Sequence, residues 1–329
     1  MSDLIASSPA LTGSLLASAY LYTVPTKPSN IELADATIDQ ILELQPSFKL
    51  YRRKALIAIK RRYSEKDILN AFRLAVTHLD GNKTEALDKL LTDVHGLPQN
   101  ARSQKLDIVA LVTKTLASSE QASETAEELV GKALLSLIIL ATTRDIASLQ
   151  SAMKDLKDAN STFALPKGSC LACQSLLWAL GDKAIAQEDF DSARRWFLLT
   201  TASPLFSSME EATFPKAYRK SAVCALHGQD YHLAKDLLDR PLLQNDACTF
   251  YILFFASGLA GDETPALQAV SRMVQAPNFK VDMLLRAVQQ QYDFASESKV
   301  LLSRMLSMVH DATTKLDGIC SVNELVLIR

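Results

Sequence analysis

Two cysteines and two histidines have the residue types of a zinc site. Cys170 and Cys173 are separated by two residues, a spacing that lets two thiolates reach one metal ion, and His227 and His232 could complete the ligand set. However, both cysteines begin a strongly apolar stretch, and the histidines flank the turn of a later helical hairpin. We therefore predict packing or turn roles for all four side chains, with no metal and no cofactor.

A basic segment before Tyr63 is the second candidate for binding chemistry, because clustered cations can contact nucleic acid or an acidic protein. Few aromatic residues interleave these cations, and the apolar residues among them require a buried face, which favours a solvated helix face. Direct contact with nucleic acid is the less favoured interpretation. The cations are Lys49, Arg52, Arg53, Lys54, Lys60, Arg61 and Arg62, and the candidate binding surface consists of Arg52, Arg53, Lys60, Arg61 and Arg62.

The chain lacks the sequence motifs of common enzyme classes. It has no G-x-G-x-x-G pattern, no Walker A loop, no G-x-S-x-G and no H-E-x-x-H. None of the five histidines has a local arrangement of acids or nucleophiles that suggests a catalytic dyad. We predict that the protein is not an enzyme; the less favoured alternative is an active site assembled from residues that are distant in the sequence.

Helices must position these residues, because the 3.6-residue apolar spacing recurs throughout and no strand-period segment stands out. Only 10 glycines and 11 prolines interrupt 329 residues, of which 48% are apolar. Asn30 is the predicted N-cap of one helix, with Leu33, Ile38, Ile41, Leu42 and Leu44 as its apolar stripe, and Ser64 with Asp67 forms an approximate capping box. The expected helices are 11–22, 31–44, 47–62, 64–79, 84–94, 102–116, 124–141, 144–156, 246–259, 265–274, 281–292 and 298–311.

Two tetratricopeptide-type helical hairpins are most distinct between Gln174 and Arg240. Small residues stand where paired helices approach closely, and large residues fill the grooves between them. A third hairpin turns near Gly261, and Ala193, Ala234 and Ala266 are the expected equivalent positions. The structural signature consists of Leu177, Trp178, Leu180, Gly181, Ala193, Trp196, Phe197, Tyr218, Ala222, Ala225, Ala234 and Leu238.

One hairpin cannot cover its own apolar face, so neighbouring hairpins must stack on it. The sequence therefore predicts an all-α fold, a tetratricopeptide-like α-solenoid of antiparallel helical hairpins. We expect a single helical-repeat domain over residues 1–329, with the clearest repeats at 170–275 and a poorly ordered segment at 1–29. A smaller basic cluster is expected on the outside of the solenoid; it comprises Arg194, Arg195, Arg219 and Lys220.

The amino-acid composition indicates the cellular compartment in which the protein is found. The formal net charge is −2, so no global field attracts nucleic acid or a membrane surface. Five cysteines spread over the chain favour reduced thiols in the cytosol or nucleus, with Cys224 as a buried small hydrophobe. No apolar run reaches the length of a membrane span, and the N-terminal segment has no Lys or Arg before its apolar part, which argues against a signal peptide.

The central stretch resembles the meiosis-specific sporulation family, the Zip-four-like tetratricopeptide proteins of fungi. The resemblance rests on Leu176-Leu177-Trp178 followed by Gly181, on an acidic-aromatic turn from Phe190 to Trp196, and on Tyr218-Arg219-Lys220 continuing to Cys224. Its distinctive part covers residues 170–240. Because family members are usually longer, the chain is expected to be a fragment or a short member.

The resemblance implies a non-enzymatic scaffold in the nucleus of meiotic cells. Such a scaffold would support synaptonemal complex assembly and crossover formation by holding crossover or chromosome-axis proteins, without a cofactor or a membrane. The alternative is a general tetratricopeptide adaptor in a chaperone, trafficking or transcription assembly. An α-helical enzyme, or the regulatory subunit of one, is the third hypothesis.

Overall fold

A computed structural model describes residues 28–79, 82–118, 124–142, 145–159 and 163–294, together with Ser303, Leu306 and Ser307. These residues form fourteen α-helices and no β-strand, which confirms the all-α prediction. The helices are α1 (Pro28–Leu44), α2 (Phe48–Lys60), α3 (Glu65–Thr77), α4 (Lys83–His95), α5 (Arg102–Ala117), α6 (Glu124–Leu140), α7 (Ile146–Ala159), α8 (Lys167–Ala186), α9 (Phe190–Leu199), α10 (Glu210–His227), α11 (Tyr231–Leu238), α12 (Ala247–Leu259), α13 (Glu263–Gln275) and α14 (Val281–Phe294).

The first helix differs from its prediction at the N-terminus and in its buried face. α1 begins at Pro28, so Asn30 lies inside the helix and is not its N-cap. Proline suits the first helical position because its missing N–H would be unpaired there anyway. The buried stripe is Ala34, Ile38 and Ile41, whereas Leu33 and Leu44 of the predicted stripe are 50% and 74% exposed.

The ends of the other described helices agree with the predicted ends within a few residues. Ser64 caps α3 as predicted, because its Oγ accepts the Asp67 N–H at 3.3 Å and donates to the Asp67 carboxylate at 2.6 Å. Asn82 caps α4 by accepting the Glu85 N–H. The predicted helix at 11–22 and most of the one at 298–311 lie outside the described residues.

The chain divides into two compact units, and the division falls within α8. The first unit contains α1–α7, residues 167–176 of α8 and the segment 202–208. The largest helix contacts here join α2 to α3, α5 to α6, and α5 to both α3 and α7. Their inner faces bury large apolar side chains, among them Phe72, Leu90, Ile108 and Leu134. Each helix thus covers the apolar face of its neighbours, as expected for stacked hairpins.

The second unit contains residues 177–201 of α8 and α9, followed by α10–α14. Helices α9 to α13 pack in order along the chain, each on the next. Two apolar clusters form the core of α10–α14, one around Leu238 and Leu243 and the other around Phe254 and Met273. The predicted equivalence of Ala193, Ala234 and Ala266 agrees with the structure, because all three are completely buried near the start of the second helix of a hairpin.

The same turn closes all three hairpins of the second unit. Glu188, Gln229 and Gly261 each have φ between 60° and 80°, the left-handed conformation that ends a helix. The next residue is always an aspartate, Asp189, Asp230 or Asp262, which begins the following helix. Its N–H bonds to the carbonyl five residues earlier at 2.9–3.0 Å, as in a Schellman motif. The short turn makes consecutive helices antiparallel.

None of the helices in the described part of the chain is both long enough and apolar enough to cross a lipid bilayer.

Candidate interaction site

The structure separates the cations of the basic segment into two groups. Arg52, Lys54 and Arg61 are bound by carboxylates of the protein itself. Lys49, Lys60 and Arg62 are exposed and form no ion pair with any described residue, and Arg53 is half-buried. The predicted binding surface is therefore heterogeneous, because two of its members, Arg52 and Arg61, already serve intramolecular contacts.

Asp35 on α1 is the centre of the first group, although its side chain is almost completely buried. The Lys54 ammonium donates to Asp35 Oδ1 at 2.7 Å, and the Arg61 guanidinium donates to Oδ2 at 2.7 Å. The Tyr63 hydroxyl donates to the same Oδ2. Three donors from α2 and the turn after it thus converge on one carboxylate of α1, which joins these two helices by charge-assisted hydrogen bonds.

These contacts determine the protonation of the cluster. Burial raises the pKa of Asp35, but hydrogen bonds from Lys54, Tyr63 and Arg61 outweigh it, so the net pKa is lowered. Burial likewise opposes the charge of Lys54, yet the bonds to Asp35 and Asp39 raise its pKa above the usual value. The carboxylate and the ammonium therefore both stay ionised near neutral pH.

Arg52 contacts a residue that is 41 positions away in the sequence. Its guanidinium forms a two-pronged bond with Asp93 of α4, in which Nη2 donates to Oδ1 at 2.8 Å and Nε donates to Oδ2. Paired N–H donors match the geometry of a carboxylate, so this bond fixes orientation as well as charge. Sequence reasoning missed both Asp35 and Asp93. Asp35 could have been found in the sequence, because it lies three residues before Ile38 on the face of α1 that was predicted to be buried, where an acid needs a partner.

The smaller basic cluster makes ion pairs in the second unit, and all four of its cations have a carboxylate partner. Arg194 and Arg195 pair with Asp191 one turn earlier, Arg219 pairs with Asp246 and Lys220 pairs with Asp182. Asp246 is also the N-cap of α12, because it accepts the Thr249 N–H. The Arg219–Asp246 bond therefore connects two successive hairpins.

The repeat-signature residues occupy the helix contacts of the second unit. Gly181 of α8 allows Phe197 of α9 to approach so closely that an added Cβ would lie 2.7 Å from the ring. Trp178 packs edge-on against the same ring, with 4.9 Å between centroids. The fully buried members are Leu177, Ala193, Trp196, Phe197, Ala222, Ala234 and Leu238; Ala225 is 4% exposed, and Trp178, Leu180 and Tyr218 are half-buried.

The cysteines and histidines of the zinc hypothesis take separate structural roles. Cys170 and Cys173 are completely buried in α8, and burial raises the pKa of Cys173 to about 12. Exposed His227 stacks on Phe190, with 4.6 Å between ring centroids. Within the described ranges, no three His, Cys, Asp or Glu side chains are grouped as metal ligands. Cys224 is buried, as predicted, and burial raises its pKa to about 11.

Comparison with models of known protein families gives a match. The model of a family described as "Meiosis protein SPO22/ZIP4 like" matches residues 10–202, more than half of the chain. The matched stretch includes α1–α9 and two of the three sequence patterns noted above, whereas the third, at 218–224, lies beyond it. A search of curated proteins found no match.

Proposed function

The chain belongs to the SPO22/ZIP4-like family of meiosis proteins, and we propose that it is a non-enzymatic protein–protein interaction scaffold. In this proposal it acts on chromosomes in the nucleus of meiotic cells, where it supports synaptonemal complex assembly and crossover formation. Its partners would be other crossover or chromosome-axis proteins. The family match over residues 10–202 is the observation that carries the proposal.

The architecture supports a binding role. Stacked helical hairpins bury their apolar faces against one another and present the remaining faces as an extended surface, which repeat proteins use to hold partners. In the second unit, that surface displays ion pairs between successive hairpins, such as Lys235–Asp262 and Arg219–Asp246. Such contacts join neighbouring hairpins of this unit.

Affinity purification of the tagged chain from meiotic and vegetative cells, followed by mass spectrometry, tests the proposal. We expect chromosome-axis or crossover proteins to be recovered from meiotic cells alone. Recovery of the same chaperone, trafficking or transcription factors from both cell types would instead favour a general adaptor.

A charge-reversal variant tests whether the basic segment contributes. Lys60→Glu with Arg62→Glu changes two exposed cations that have no ion pair within the described residues, so the fold should persist. The matched control is Lys183→Glu on α8, another exposed lysine without an ion pair there. If the segment touches an acidic partner or DNA, the double variant loses meiotic partners that the control retains.

A further inference from the structure

Two leucines of α1 are exposed on a different face from the one that packs on α2. Leu33 and Leu44 are 50% and 74% exposed, whereas Ala34, Ile38 and Ile41 of the same helix are buried in the apolar cluster that joins α1 to α2. Among the described helices, α1 packs mainly on α2. The apolar surface of α1 is therefore wider than the part that this neighbour covers.

The two leucines are the ends of one stripe along the helix, which we call the outer face of α1. It consists of Leu33, Thr37, Gln40 and Leu44, which lie on one side of a helix because they are four, three and four residues apart. The Thr37 hydroxyl donates to the Leu33 carbonyl at 2.6 Å, so it needs no partner outside the helix. None of these four side chains is charged. An apolar surface can therefore cover the outer face of α1 without burying an unpaired ion.

The chain that precedes α1 carries a matching stripe. Residues 4–26 contain no Asp, Glu, Lys, Arg or His, and the helix predicted at 11–22 lies within them. On such a helix, Leu11, Leu15, Ala19 and Tyr22 lie on one side, since they are four, four and three residues apart. An uncharged helix with an apolar stripe is stabilised by removing that stripe from water, so this segment requires a surface to pack on.

The connection to α1 has a suitable length for an antiparallel pair. α1 begins at Pro28, so residues 23–27 are the five that join it to the predicted helix, and connections of about two to eight residues are usual between neighbouring helices. Both stripes extend over eleven residue steps, from 11 to 22 and from 33 to 44, which is about 16 Å of helix. An antiparallel pair therefore places Tyr22 beside Leu33 and Leu11 beside Leu44. The family match begins at residue 10 and so includes both stripes.

We propose that residues 11–22 form a helix that packs antiparallel on the outer face of α1. The two helices then form one more hairpin of the stack, because each covers an apolar stripe that the other leaves exposed. The occupant comes from the same chain, since a five-residue connection keeps it close to the outer face at a high effective concentration. The proposal orders part of the segment 1–29, which the sequence alone predicts to be poorly ordered.

Hydrogen exchange of the purified full chain, followed by mass spectrometry, tests the pairing. We expect the backbone amides of residues 11–22 to exchange at least about tenfold more slowly than those of an unstructured peptide. The double variant Leu33→Gln with Leu44→Gln should raise that rate at least about fivefold, because it removes the apolar surface while glutamine keeps a helix propensity close to that of leucine. The matched control is Leu171→Gln, which changes a 54% exposed leucine of α8 and should leave the rate unchanged.

The reverse experiment changes the segment and observes α1. Leu15→Gln should speed exchange of the α1 amides about two- to fivefold, and Leu16→Gln, on another side of the predicted helix, should speed it less. The amides of α2 should exchange at the wild-type rate in every variant, which would show that the first unit remains folded.

Three results overturn the proposal. In the first, residues 11–22 of the wild type exchange as fast as an unstructured peptide, so the outer face of α1 is left for a partner protein. In the second, the segment is protected but Leu33→Gln with Leu44→Gln leaves its exchange unchanged, so it packs elsewhere. In the third, light scattering gives twice the mass of one chain and the protection is lost on dilution, so a second copy supplies the cover. The measurement uses purified protein alone and therefore does not depend on the proposed scaffold function.

Discussion

The hairpin of α2 and α3 in the first unit and the hairpin of α10 and α11 in the second are closed by similar turns but packed differently. In both, one residue is left-handed, Arg62 with φ 55° and Gln229 with φ 60°, and the N–H after it bonds five residues back. Four residues after the N-cap, however, the first hairpin buries Ile68 and the second buries Ala234. A common turn therefore does not impose a common helix contact.

Charge is used differently in these two regions as well. The first unit buries Asp35 and surrounds it with three donors from α2 and its turn. Among the described ion pairs of the second unit, none has a carboxylate as buried as Asp35: Arg219–Asp246 joins side chains that are 17% and 27% exposed, and Lys220–Asp182 joins side chains that are 39% and 50% exposed. Surface pairs contribute little stability, whereas a buried carboxylate depends on every donor it has. The comparison indicates that a buried charge cluster joins helices in the first unit, in addition to the apolar contacts that both units have.

The largest expected effect concerns the apolar core of each unit. Trp196→Ala in the second unit and Phe72→Ala in the first each remove a completely buried ring, and each should lower the free energy of unfolding by about 3–5 kcal/mol. Urea unfolding followed by far-ultraviolet circular dichroism measures both values. If Trp196→Ala unfolded like the wild type and yet lost a partner, its burial in the helix contact would be refuted.

The difference in packing between the two hairpins can be tested at the fourth residue after the N-cap. A small residue replaces Ile68 of α3, and a large residue replaces Ala234 of α11. Ile68→Ala should cost about 2–5 kcal/mol because it leaves a cavity, and Ala234→Leu should cost about 1–3 kcal/mol because it overfills a completely buried site. Thermal or urea unfolding provides the measurement. Tolerance of leucine at 234 would show that the second region does not require a small residue there.

Removing the buried carboxylate tests the polar contacts. Asp35→Asn weakens the charge-assisted bonds from Lys54 and Arg61, and we expect it to cost about 1.5–3 kcal/mol at pH 7. Asp88→Asn is the control, since its partner Lys132 is 42% exposed. An equal effect of the two substitutions would mean that the cluster adds no more than a surface pair.

The lowered pKa of Asp35 predicts that its contribution to the free energy of unfolding depends on pH. The pKa of Asp35 is lowered in the folded state, so its contribution is complete above the unfolded-state pKa of about 4 and is lost as the pH falls through the lower folded-state value. The difference in unfolding free energy between the wild type and Asp35→Asn should therefore shrink on going from pH 7 to pH 3. A difference that stays constant would contradict the ionised state of Asp35.

Substitutions of two glycines in α8 have the smallest expected effects on stability, and one of them is a control for the other. Gly181→Ala brings a Cβ within 2.7 Å of the Phe197 ring and should cost about 1–3 kcal/mol. Gly168→Ala meets no atom within 4 Å near the start of the same helix, so it should stabilise by about 0.5–1 kcal/mol. Differential scanning calorimetry compares the two, and opposite shifts in melting temperature are expected.

The sequence by itself determined the all-α class, most helix ends and the equivalence of the three hairpins. Apolar periodicity and capping residues such as Ser64 act over a few positions, so their effect is visible in one stretch of chain. The same locality explains the error at Asn30, since a good capping residue competes with a nearby Pro28 that is equally suited to a helix start. It also explains why Leu33 and Leu44 were assigned to the buried stripe from their apolarity alone.

Only the tertiary structure decided which cations of the basic segment are paired within the protein and which have no ion pair with a described residue. Arg52, Arg61 and Lys60 look alike in the sequence, yet Asp93 and Asp35 bind the first two, and the third remains exposed. The partners lie 41 and 26 residues from the cations they bind, so no local pattern identifies them. Helix packing decides which cations and carboxylates come within bonding distance. A cation that is already paired with a carboxylate of the same protein is therefore less able to bind a partner protein.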